Sequence, residues 1–122
     1  MDIEKTREYY RNLKDEDICD CKWCRNFIEQ IRNAYPEVAE FLDGMGVDIE
    51  KPFETWPLEP YSDGTITYLD VQYIVIGDPS SFTQTHIGDV EVHIADSHPP
   101  VEIAEQHFVI ELLPFRLKWT KA

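Results

Sequence analysis

At Asp63-Gly64 the spacing of apolar residues changes, and that change limits the fold more than any motif in the chain. Before it, apolar positions recur at helical intervals. After it they alternate. Residues 3–14 place Ile3, Thr6, Tyr10 and Leu13 on one stripe, which predicts a short first helix. From about Cys21 to Ala34 the stripe is Trp23, Phe27, Ile28, Ile31 and Ala34. Pro36 ends that helix, because the residue before a proline is driven out of the α region. The same proline suits the first turn of a third helix, PEVAEFLDG, with Val38, Phe41 and Leu42 turned inward. Gly44 and Gly46 read as its stop signals.

Beyond the Asp63-Gly64 turn, TITYLDVQYIVIGD is strand-like, with Leu69, Val71, Tyr73 and Val75 on one face. It is long for a single strand and is expected to bend or to serve two partners. THIGDVEVHIAD sets Val90, Val92 and Ile94 against Asp89, Glu91 and His93. The last apolar segment, HFVIELLPFRLKW, breaks phase: Phe108, Ile110 and Leu112 share a face, then Leu113, Phe115, Leu117 and Trp119 do. One extra residue near Pro114, a β-bulge on a strand edge, would reconcile them. The expectation is a single α+β domain over residues 1–122, with two or three N-terminal helices packed on a C-terminal antiparallel sheet. The helical half is 1–46, the strand half 63–119. Between them, residues 47–62 carry Pro52, Pro57 and Pro60 and read as an extended surface connection anchored by Phe53 and Trp56.

Charge narrows the partners. The formal net charge is −13, and no Lys or Arg occurs between Pro52 and Phe115, where eleven acids fall. Nucleic acid and anionic membranes are poor partners for such a chain, since phosphate contacts need Lys and Arg. A solvated acidic surface and a surface that meets a basic protein or a cation both fit the balance. The charged N-terminus MDIEKTREYY has no apolar core of a signal peptide, so a cytoplasmic location with reduced thiols is expected.

All three cysteines, Cys19, Cys21 and Cys24, lie in DICDCKWCRNF. Cys-x-Cys-x-x-Cys at a helix start offers three soft ligands. Zinc in a tetrahedral structural site needs one more, to be sought at His86, His93, His98 or His107. Packing explains part of the motif equally well, because Cys21 and Cys24 continue the Ile28–Ile31–Tyr35 stripe as small hydrophobes. A thioredoxin-like redox role through Cys21 and Cys24 lacks the preceding strand, and Asp17 and Asp20 are expected to raise the thiol pKa values by repulsion.

A second polar cluster consists of Asp89, Glu91 and His93 on one strand face, with His98 and His107 near by. If the following strand folds back, His107 and Glu111 approach His93 and Glu91. Such a group would bind a divalent metal or pair a base with an acid. The wet face of an antiparallel sheet carries the same pattern. GxSxG, HExxH, P-loop and GxGxxG motifs do not occur, which tilts the reading towards binding and away from catalysis.

The segments DICDCKWCRNF, AYPEVAEFLDGMGVDIEKPFETWPLEP and IGDVEVHIADSHP together resemble a family of small bacterial proteins, over most of the chain from about Asp17 to Trp119. The family has no established activity, so the resemblance implies a free-standing cytosolic bacterial domain and lends no site residue. Three functional readings follow. The first is a small acidic interaction protein that neutralises a basic partner. The second is a zinc protein whose site joins the three cysteines to one histidine. The third is an enzyme built on Asp89, Glu91 and His93.

Overall fold

The computed structural model describes residues 1–121. Three helices, α1 (Ile3–Asn12), α2 (Lys22–Ala34) and α3 (Pro36–Gly44), precede an antiparallel sheet. Its strands are β1 (Glu54–Pro57), β2 (Thr65–Ile76), β3 (Thr85–Ile87), β4 (Val90–Ile94), β5 (His107–Leu113) and β6 (Phe115–Lys118). The spatial order is β1-β2-β5-β4-β3, with β6 pairing the first part of β2. The α+β expectation is met, with helices on one face of the sheet.

Local chemistry accounts for the helix limits. Asp2 caps α1 by accepting from the Lys5 N–H at 3.0 Å. Pro36 opens α3, as its fixed φ allows. Gly46, at φ +84°, ends the helical half, and a Cβ there would lie 2.6 Å from the Ile3 carbonyl oxygen. The two-residue turn Gly88-Asp89 joins β3 to β4, with Gly88 at φ +60°. Asp89 therefore leaves the strand face that the alternation assigned to it.

The core lies between helices and sheet. Phe27, Ile31, Val38 and Leu42 from the helices meet Ile66, Tyr68, Val71, Tyr73, Ile110, Leu112 and Phe115 from the strands. Three tyrosine hydroxyls tie the layers: Tyr10 donates to the Ile74 carbonyl, Tyr68 to that of Trp23, and Tyr73 to that of Ile49, at 2.6–2.7 Å. Each phenol buries its ring and still places its hydrogen.

The 47–62 connection departs from the sequence expectation. Val47 and Ile49 are fully buried, and Glu54–Pro57 forms β1 along β2. Phe53 packs as expected, but Trp56 is 65% exposed and anchors nothing.

The phase break also resolves differently. In β2 the residues facing the helices are Ile66 and Tyr68, then Val71, Tyr73 and Val75, so Leu69 and Asp70 both turn away. Leu113 and Pro114 do the same between β5 and β6. Since both partners switch together, the pairing register is the same on either side of the break: Tyr68 opposes Phe115 and Val71 opposes Leu112. The extra residue belongs to β2, where its pairing with β1 slips between Trp56 and Pro57. Leu69, expected inward, is exposed for this reason.

Phe27 is the hinge of the interlayer packing, fully buried with its ring centroid 5.2 Å from Tyr68 and 5.6 Å from Phe115, both edge-on. Phe27→Ala is expected to cost about 3–5 kcal/mol of unfolding free energy, read by urea denaturation. A loss below about 1 kcal/mol would show that the layers do not depend on it.

Candidate functional site: the thiol cluster and the rear face of the sheet

The loop from Asp17 to Cys21 delivers two cysteines to the start of α2, and the first turn of the helix supplies the third. Cys21 is the residue just before α2, and its sulfur accepts the Cys24 N–H at 3.5 Å. The turn is fixed from below. Tyr68 donates to the Trp23 carbonyl at 2.6 Å, and Asn26 donates to the Lys118 carbonyl at 2.9 Å. The ligand atoms of Cys19, Cys21 and Cys24 all lie within 4.8 Å of one another. Cys19 is exposed, Cys21 half-buried and Cys24 buried, so the cluster runs from solvent to core.

The three thiols are electrostatically unequal. At Cys21 burial pushes the pKa up, but the Cys24 N–H, the Cys19 and Cys24 thiols and the Trp23 N–H together outweigh it and hold the group below the ordinary thiol range. At Cys24 burial dominates and lifts the thiol to about 12, although its sulfur lies 3.3 Å from the Thr55 hydroxyl of β1. The repulsion expected from Asp17 and Asp20 is thus overturned at Cys21, where donated hydrogen bonds decide the sign. Packing holds for Cys24, as expected, and not for Cys21.

No histidine joins the group as the expected fourth ligand. Among the described residues the cluster consists of the three cysteines alone. The histidines are spent elsewhere. His86 Nε2 lies 3.4 Å from Glu91 and His93 Nδ1 lies 3.3 Å from Glu111. The rings of His98 and His107 sit against the Pro99 and Glu105 carbonyls at 2.7 and 2.8 Å.

The second predicted cluster is divided by the fold. Asp89 is in the β3–β4 turn, Glu91 pairs towards β3, and His93 towards β5. The approach of Glu111 to His93 is realised, while His107 stands at the far end of β5 opposite Ile76. The Asp89, Glu91 and His93 side chains do not meet at one point.

A different polar group occupies the sheet face turned away from the helices. Glu54, Gln72, Glu111 and His93 are direct cross-strand neighbours on β1, β2, β5 and β4. Asp70, displaced to this face by the irregularity in β2, faces Glu111. Burial, followed by the hydrogen bond and charge of Glu111, raises the Asp70 carboxyl to about 8. Sequence alternation could have flagged Gln72 and Glu111, but Asp70 reaches the row only because β2 changes phase.

Comparison with known proteins found no matching family model, no matching curated protein and no matching solved structure. The chemistry of the site therefore rests on its own residues. In the native protein at neutral pH, iodoacetamide is expected to label Cys21 before Cys24, with Cys24 modified only on unfolding, as read by peptide mass mapping. Equal rates at the two positions would contradict the unequal burial and opposite pKa shifts of the two thiols.

Proposed function

We propose that the protein is a small acidic metal-binding protein whose Cys19, Cys21 and Cys24 thiolates hold a thiophilic cation, zinc foremost, with the fourth position left to solvent or to a group from another molecule. The observation that carries this is the convergence of three sulfurs within 4.8 Å. Thiolates around tetrahedral zinc stand ~2.3 Å from the metal and hence ~3.8 Å apart, so small side-chain rotations close the site. Hydrogen bonds at the start of α2 hold the Cys21 thiol below its ordinary range, which eases loss of its proton, and the net charge of −13 favours cation uptake. A site with three protein ligands and one position facing solvent suits reversible loading or delivery of a metal.

Elemental analysis of metal-replete protein is expected to give about one equivalent of zinc, lost in Cys24→Ser. Cobalt substitution is expected to give a thiolate charge-transfer band. Since Cys24 must shed a proton held up to about 12, affinity is expected to fall by about tenfold per pH unit for each proton displaced on acidification. Zinc absent from replete preparations, or retained in Cys24→Ser, overturns the proposal.

A second reading, contact with a basic partner, is supported by the distribution of charge. The rear of the sheet draws its charged residues from the span between Pro52 and Phe115, which holds acids and no Lys or Arg. Binding to an immobilised lysine-rich peptide is expected to weaken steeply between low and physiological salt. Salt-indifferent retention, or none, counts against it.

A further inference from the structure

On the rear face, between β1 and the loop that follows β4, lies a cavity of about 590 Å³. That volume falls in the range of small-ligand sites. Ser97, His98 and Pro99 of the loop form one wall and β1 the other, with Asp70, Gln72 and Glu111 at the base.

Among the described residues no donor reaches two of the acceptors at this base. Gln72 is 7% exposed, and its amide nitrogen donates to the Ser97 carbonyl at 3.0 Å. That bond fixes the amide orientation, because a carbonyl takes only the NH2 end. The Gln72 Oε1 and the Asp70 Oδ1 are left buried with no partner among the described residues. A buried acceptor without a donor is costly, and a donor brought into the cleft would relieve that cost.

The walls continue the same chemistry. Glu54 and Glu111 add carboxylates, and among the described residues no Lys or Arg lines the cavity. Trp56, 65% exposed, lies beside Asp70 across the β1–β2 ladder and offers an indole face to a cation. A divalent metal fits less well, since the cysteines alone form a converging ligand group among the described residues. Unpartnered acceptors, carboxylates and an open aromatic ring together call for a cation that carries several N–H donors.

We infer that this cleft binds an organic cation, a guanidinium or primary ammonium group, with Gln72 Oε1 and Asp70 Oδ1 accepting its hydrogens, Glu54 and Glu111 balancing its charge, and Trp56 flanking it. The inference rests on the acidic sheet face of the second reading above and gives it a defined receptor. The same chemistry is offered by a free amine or by a Lys or Arg side chain of a partner.

The test titrates 15N-labelled protein with agmatine and, separately, with acetyl-Gly-Arg-Gly-amide. The Trp56 indole and Gln72 side-chain amide resonances are followed. Saturable shifts of both, weakened at least tenfold in Trp56→Ala and in Glu54→Gln, support the site. Both substitutions fall on exposed β1 positions, and their folding is checked by the unshifted remainder of the spectrum. Binding of agmatine alone assigns the cleft to free amines and removes the basic-partner reading while keeping the site. Tighter binding of the peptide assigns it to a partner's side chain. Shifts absent for both probes up to millimolar concentration, or unchanged in both variants, overturn the inference. So does equal binding of the uncharged analogue butylurea.

Discussion

The phase change in β2 is the constraint on which the rest of the structure depends. A strand of twelve residues must cover the helices with both of its ends. Strict alternation would keep one set of faces throughout, and either Ile66 and Tyr68 or Val71, Tyr73 and Val75 would then point away from the core. Leu69 and Asp70 absorb the mismatch, and Leu113 and Pro114 absorb it in the partner at the same level. Because the compensation is matched, the ladder resumes in register. The apolar face stays continuous beneath α2, where Phe27, Tyr68 and Phe115 stack edge to face. The displaced residues are delivered to the opposite surface, and one of them is an acid.

The two polar regions arise from opposite uses of burial. At the start of α2 a buried thiol, Cys24, stays protonated, while the half-buried Cys21 gathers the donors that stabilise charge. One motif thus contains both a thiol held below its ordinary range and a thiol that yields its proton only to a strong competitor such as a metal ion. Behind the sheet, Asp70 is desolvated beside Glu111 and holds its proton into the neutral range. There the cost falls on carboxyl groups of a surface whose sequence span contains no Lys or Arg.

The legible parts of the fold are those set by local periodicity. The third helix can be read to the residue, because Pro36 and the Gly44–Gly46 pair punctuate it. The tight spacing of Cys19, Cys21 and Cys24 also shows directly, being a local property of a loop and one helical turn. What stays hidden depends on partners distant in sequence. Val47 and Ile49 look like parts of a proline-rich connection, yet Tyr73 reaches the Ile49 carbonyl and draws them under the sheet. Asp89 keeps the alternation of β4 in sequence and is removed from it by a two-residue turn at Gly88. The row of Glu54, Gln72, Glu111 and His93 needs the register of four strands, and no single segment carries that information.

The strand β1 has only four residues and hydrogen-bonds to one neighbour, yet its alternation assigns consecutive side chains to different sites. Thr55 turns inward to the Cys24 sulfur at 3.3 Å, while Glu54 and Trp56 flank it on the outer side. The thiol cluster and the acidic cavity therefore share a partition one peptide thick. Thr55 is joined by a single peptide bond to Glu54 on one side and to Trp56 on the other, so the two regions are adjacent along the backbone of β1. A change at Thr55 therefore alters the surroundings of the Cys24 sulfur and the lining of the cavity together.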